Sequence, residues 1–299
     1  MNLSDKYKGI FFVVTTLLIW SLFAIFSRMM GKQYLNSWDL TFIRFSFAFV
    51  LICIYLIWHK KFIRFNLQHA LILSLFGGVG YCAIVYLGFL YAPVTHSAIW
   101  LNACIPVSIF LLSALCMKQP VQKDEVRVFT TIVVSIVGML MVGYFSQSYI
   151  FSIGDLCFFI GSLFWAAYTL LIRKFNTSIQ EALVGVTFVS FITYLPIYLF
   201  FLPKNILQES ISVILMQGIF HGVFMVILAS ITFIKSIEYL GAIKAGSILA
   251  LAPFIAVILA IPLLGEWPDQ ASIIGMMGLL IAVIRPWKWK EIKPLSSRE

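Results

Sequence analysis

Runs of about 20 apolar residues, the length a helix needs to cross the hydrocarbon of a bilayer, recur along this chain with only short polar connectors between them. They fall approximately at 9–30, 39–58, 69–91, 95–117, 127–145, 153–173, 180–201, 212–235, 243–264 and 269–286. The third and fourth are separated only by the turn at Ala92-Pro93, and the eighth and ninth only by Leu240-Gly241-Ala242. Joined, either pair would be far too long for one crossing, so each reads as a helical hairpin. Backbone groups in lipid must be satisfied within a helix or a closed barrel, and nothing here alternates as a barrel strand does. Composition agrees: the chain is 62% hydrophobic and 11% charged, with mean hydropathy +1.00, where soluble domains carry about 25% charged residues. A water-soluble fold could not hide that much apolar surface, and a lipid bilayer is the expected surrounding.

The sequence starts Met1-Asn2-Leu3-Ser4-Asp5-Lys6-Tyr7-Lys8 and is then apolar to about Met30. That run is too long for a signal-peptide core and no small-residue cleavage site follows it, so it is expected as a retained first span. The formal charge of +9 suggests nucleic acid only until its placement is considered. Lys and Arg sit at the ends of apolar stretches, as topology requires, and no nucleic-acid partner is expected. With the N-terminus inside, Arg28, Lys32 and Lys204 fall on the outer side and Arg44 within the second span, while the rest of the 21 Lys and Arg lie on the cytoplasmic side. Ten spans with both termini cytoplasmic, in a cell inner (plasma) membrane, follow as the expectation. Trp287-Lys288-Trp289-Lys290 opens a basic cytoplasmic tail, 287–299. Cys53, Cys82, Cys104, Cys116 and Cys157 all lie inside apolar stretches without metal-ligand spacing and read as core or lipid-facing residues.

The chain also repeats itself. Gly9, Trp20 and Arg28 recur as Gly154, Trp165 and Arg173, an offset of 145 in each case. A second echo pairs Ala92-Pro93-Val94…Ile105-Pro106 with Leu240-Gly241-Ala242…Ala252-Pro253, both tight turns leading into a helix with an internal proline. Half of ten spans is an odd number, so the second half enters the membrane upside down. The expected fold is therefore all-α and integral to the membrane: ten transmembrane helices as two inverted five-helix repeats, 1–147 and 148–286. Inverted repeats suit secondary transport, because two related halves can exchange conformations around a central site.

Ten spans, the five-plus-five repeat, Leu251-Ala252-Pro253…Leu263-Leu264-Gly265-Glu266 and Phe42-Ile43-Arg44-Phe45 together resemble the EamA-type transporters of the drug/metabolite transporter superfamily, over nearly the whole chain. One departure is visible: Met117-Lys118-Gln119 stands where the family usually ends its first half Leu-Gly-Glu, which leaves Glu266 without a symmetry mate. The resemblance implies a central cavity surrounded by helices one, three, four, six, eight and nine.

Polar and aromatic groups at membrane depth face a cavity or a neighbouring helix. Trp20 and Trp165, the repeat pair, each offer a stacking face and one N–H donor for an organic substrate. His96 and Trp100 share a face of the fourth helix and Asn102 points elsewhere, so Trp100 and Asn102 cannot both line one narrow cavity unless Pro106 distorts the turn; Trp100 is expected on the cavity and Asn102 tying helices together. His221 and Met225 share a face of the eighth helix. His221 reads either as a proton carrier or substrate partner, or as a helix-packing histidine. Gly77 and Gly78 give the third helix room for close approach, beside Tyr81; Tyr168 belongs with Tyr81 as a further candidate. Pro106, Pro253 and Glu266 are expected in structural roles. Lys235, Glu238 and Lys244 cluster at the cytoplasmic turn between helices eight and nine, as an interfacial charge cluster or as a gate of breakable ion pairs. Arg28, Arg44 and Arg173 read as snorkelling anchors or as interface hydrogen-bonders.

No HExxH, GxSxG, phosphate-binding loop or paired intramembrane carboxylates occur. An enzyme, a metal or cofactor site and direct ATP drive, including an ATPase subunit, are not expected. Oligomeric state is open. The expected function is a secondary transporter moving a small organic solute, an amino acid or related metabolite, by alternating access. Export of lipophilic or cationic drugs and carriage of a nucleotide-like metabolite stand beside it. An integral-membrane transferase on lipid-linked substrates, or a receptor or scaffold, are the readings from other classes. Short outer loops speak against the transferase and the internal repeat against the scaffold.

Overall fold

A computed structural model describes residues 3–60, 63–115 and 122–287, which form helices and their connecting turns. Cys116, the Met117-Lys118-Gln119 departure and the tail from Lys288 onward lie outside the described residues. Among those described, nine helical segments are long and apolar enough to cross a membrane: Asp5–Lys32, Ser37–Trp58, Leu67–Tyr91, Val94–Leu115, Lys123–Ser146, Ile153–Lys174, Ile179–Phe201, Ile211–Leu240 and Lys244–Leu264. A tenth apolar helix, Gln270–Ile284, has 15 residues, and it is held along the fifth helix. These are the ten helices the hydropathy pattern predicts, and they are called first to tenth below.

Their ends follow local chemistry. Orphan N–H groups at a helix start need acceptors, and short polar side chains supply them: Asn36 with Asp39 for the second helix, Ser178 with Glu181 for the seventh, Asp269 for the tenth. Asp269 accepts from the Ser272 amide at 2.8 Å.

Helix contacts carry the repeat. The first helix packs on the eighth and ninth, and the sixth on the third and fourth. The second lies on the seventh and eighth, and the seventh on the third; the fifth and tenth face each other. Moving five helices along turns each of these contacts into itself or into another of them, the signature of a two-fold between inverted halves. Gly9 and Gly154 recur because each allows a close crossing. A Cβ on Gly154 would stand 2.7 Å from the Gly88 carbonyl oxygen, and one on Gly9 2.7 Å from the Leu240 side chain. Buried hydroxyl pairs tie the seams: Thr16–Thr232 at 2.8 Å, Ser74–Ser190 at 2.7 Å and Ser108–Ser162 at 2.8 Å.

Regular helix fails in the third, fourth, eighth and ninth. The third breaks at Gly78 (φ −108°, ψ −122°). The fourth winds as π-helix over Ala98–Ala103, and the eighth over Ile219–Leu228. The ninth breaks at Ala250-Leu251, just ahead of Pro253. A proline has no N–H to give and crowds the carbonyl four residues back. For Pro106 that carbonyl belongs to Asn102, at the end of the π segment, and for Pro253 it belongs to Leu249, at the break. Irregular backbone at membrane depth is tolerated where protein or a cavity buries it, and these interruptions meet around one.

Candidate functional site

A cavity of about 480 Å³ lies between the two halves. Trp20, Tyr81, Trp165 and Tyr168 form its aromatic wall, and Met225 contributes from the eighth helix. Tyr81 lies against Trp165 with ring centroids 5.1 Å apart, and Trp165 against Tyr168 at 5.3 Å. Trp20 leans on Phe233 at 5.6 Å. Tyr168 fits because residue 77 has no side chain: a Cβ there would run into its ring. Gly78 has a different neighbour, and a Cβ at that position would collide with Ser190 Oγ. The lining runs from Ser97 and Phe89 down to Leu183 and Val283, which lie toward the terminus-bearing ends of the seventh and tenth helices.

Three candidates from the sequence take other places. Trp100 is not on the wall; its Nε1 donates to Tyr149 Oη at 2.6 Å, and its ring meets Phe151 and Phe159. Asn102 lines the cavity instead, with Nδ2 donating to the Ser97 carbonyl at 3.1 Å, five residues back. The reversal has a simple cause. A π segment takes more residues per turn than the 3.6 assumed in placing Trp100 and Asn102, and it turns the face presented inward. His221 is also off the wall, fully buried behind Phe23 and Tyr86, with ring centroids 5.6 and 5.2 Å away.

Arg44 and Arg28 do not snorkel; both hydrogen-bond to neighbouring helices, the second of the two readings. Arg44 lines the cavity within the second helix, its guanidinium 5.9 Å from the ring centres of Phe23 and Phe45. Nη1 donates to Tyr86 Oη at 3.2 Å, and Tyr86 Oη stands 3.0 Å from His221 Nδ1. Tyr86 has one proton. The direction of that second bond follows the His221 tautomer, and His221 Nε2 is buried without a hydrogen-bond partner among the described residues. Arg28 closes the end of the molecule away from the termini. Its Nε donates to Glu266 Oε1 at 2.6 Å, and Nη1 to the carbonyls of Phe89 and Leu90. Glu266 Oε2 accepts from the Val94 amide at 2.9 Å, at the start of the fourth helix, where a negative charge also suits the helix dipole. Gly265 makes this possible. At φ +74° it ends the ninth helix in the left-handed region, where glycine is free of the Cβ penalty, and the following Glu266 turns back across the helix ends. Arg173, the repeat mate of Arg28, is exposed.

A second polar cluster lies at the same end. His96 Nδ1 donates to the buried Asp155 at 2.7 Å, and Nε2 lies 4.0 Å from Asp269. Tyr149 stacks on His96 with centroids 4.6 Å apart. Burial, with the Asp155 charge beside it, pushes the Tyr149 hydroxyl up from its usual range, so it stays protonated. At the opposite end Lys235 pairs with Glu238 at 2.7 Å within one helix, both about half exposed, and Lys244 is exposed beyond the Gly241 turn. Arg285 and Trp287 both donate to Asp124, at 2.8 and 2.7 Å, joining the tenth helix to the start of the fifth. Sequence reasoning missed the Arg28–Glu266 contact because its partners stand 238 positions apart.

Fold and site together define a multi-pass membrane transporter built of two related halves around an aromatic cavity. A model of the EamA-like transporter family matches residues 7–143 and again 152–285, and the chain belongs to that family, within the drug/metabolite transporter superfamily, whose members are non-enzymatic transporters. No curated protein gives a match. A crystal structure of a protein 15% identical in sequence aligns over 98% of this chain and 100% of its own, with a TM-score of 0.60, a likeness of fold.

Proposed function

We propose that the chain moves an amino acid or a related small organic metabolite across the cell inner membrane by alternating access, with both termini in the cytoplasm. One observation supports this above all: the cavity between the halves is walled by the symmetry-related Trp20 and Trp165 together with Tyr81 and Tyr168. Its volume, about 480 Å³, suits a small solute, since ligand pockets run from about 300 to 1,000 Å³. The repeats 1–147 and 148–286 are the proposed moving units. The Arg28–Glu266–Val94 contact serves as the latch of the outer end, in preference to the Lys235, Glu238 and Lys244 cluster, whose ion pair stays within one helix. Breaking the latch would cost little once water reaches it, because exposed ion pairs contribute only about 0–1 kcal/mol.

Uptake and counterflow in proteoliposomes with a panel of labelled amino acids, organic acids, nucleosides and organic cations test the reading. Saturable movement of one chemical class, lost on Trp20→Ala with Trp165→Ala, is the expected result. Absence of movement for the whole panel, by protein that is folded and inserted, would count against it.

A further inference from the structure

Arg44 is the only charged side chain lining the cavity among the described residues. A guanidinium has five N–H donors and no acceptor, and the acceptor it meets here is one tyrosine oxygen. Its Nε is buried without a hydrogen-bond partner among the described residues. Phe23 and Phe45 give it ring faces at 5.9 Å, which soften the cost of holding a cation but do not neutralise it. Acids of the bundle are committed elsewhere: Asp39 to Tyr198, Asp155 to His96, Glu266 to Arg28. A charge inside a membrane needs an opposite charge or a water-filled space beside it.

We propose that Arg44 is the anion subsite of the cavity, and that the substrate is a small monoanionic carboxylate or a zwitterion presenting its carboxylate there. The inference rests on the transport reading above and names the chemistry of that site. One guanidinium balances one negative charge, which favours a carboxylate over a phosphate dianion; its planar fork matches two carboxylate oxygens. Tyr86 and His221 are positioning residues. Tyr86 accepts from Nη1 and is hydrogen-bonded in turn to Nδ1, so the chain Arg44–Tyr86–His221 fixes the guanidinium from behind. The aromatic wall takes the apolar part of the solute, and an ammonium group, where the solute has one, meets a tryptophan or tyrosine face. Organic cations without a carboxylate would meet the like charge of Arg44 in a site that offers no acid.

The test uses the full chain in nanodiscs and four probes of one shape: phenylalanine, phenylpropionate, phenylalaninamide and phenethylamine. Binding is read by tryptophan fluorescence and thermal shift, and flux separately in proteoliposomes. Phenylalanine and phenylpropionate are expected to bind at least tenfold more tightly than the amide and the amine, the order of one charge-assisted hydrogen bond. Arg44→Gln should erase that preference, and Arg44→Lys should keep part of it. If Arg44→Gln does not fold, the ranking by the unmodified protein decides alone. Equal or tighter binding of the amide and amine, binding of none of the four, or a preference that survives Arg44→Gln overturns the proposal. Flux of the cations without the carboxylates would sink the anion subsite and leave transport standing. Carboxylate binding that yields no flux of any bound probe would do the reverse.

Discussion

At the residue scale, what a side chain touches separates the tryptophans that the sequence could only group. Trp20 and Trp165 stand on the wall, whereas Trp100 is held by Tyr149. Trp20→Ala and Trp165→Ala should each raise KM severalfold to tenfold, since an aromatic contact contributes about 0.5–1.5 kcal/mol beyond its buried area; initial rates of uptake check this. Trp100→Phe instead removes one hydrogen bond. It should lower stability by about 1 kcal/mol and leave affinity unchanged, as a thermal melt and a binding isotherm would report. Trp100 had the right type and depth for a binding residue, and only its direction was hidden. Direction depends on the helical period, and the π turn over Ala98–Ala103 changes that period locally. Pro106 was the signal in the sequence.

At the scale of elements, small residues and breaks set the cavity. Gly77 leaves the space that the Tyr168 ring fills. Gly77→Val would drive that ring into the cavity, and at least a tenfold fall in transport with the helices intact by circular dichroism is the expected outcome. Gly265 has the other role of glycine. Replacing it with Ala at φ +74° should cost about 1–2 kcal/mol for the left-handed backbone and loosen the seat of Glu266. A lower melting temperature with faster thiol labelling near Val94 would show it. The ten helices and their hairpins were readable because lipid leaves the backbone so few solutions. Contacts between helices were not, because hydropathy says which residues are apolar and nothing about which neighbour they meet. Arg28 and Glu266 are 238 positions apart, and Arg44 read as an anchor because its surroundings, Phe23, Phe45 and Tyr86, come from three different helices.

At the scale of the whole molecule, the two halves are alike in their contacts and unlike in their latches. The helix pairings obey the two-fold, but Gly265-Glu266 occurs only in the second half, and Lys118 stands where the first half would need its glycine. A latched far end and a cavity whose lining descends to Leu183 and Val283 describe one side closed and the other approached. Glu266→Gln removes the charge that binds Arg28 and should shift the population toward the form open at the far end. Electron–electron distance measurements between labels near Met30 and Glu266 should then show a longer component grow at the expense of the short one.

The central claim is that one cavity between the halves is reached in turn from each side of the membrane. The most direct measurement replaces Asn102, on the cavity wall, with Cys in a background free of other cysteines, and follows its reaction with a membrane-impermeant thiol reagent applied to one face of sealed vesicles at a time. The account predicts labelling from both faces, with Glu266→Gln speeding it from the face away from the termini. Labelling from one face alone, unchanged by Glu266→Gln, would contradict it.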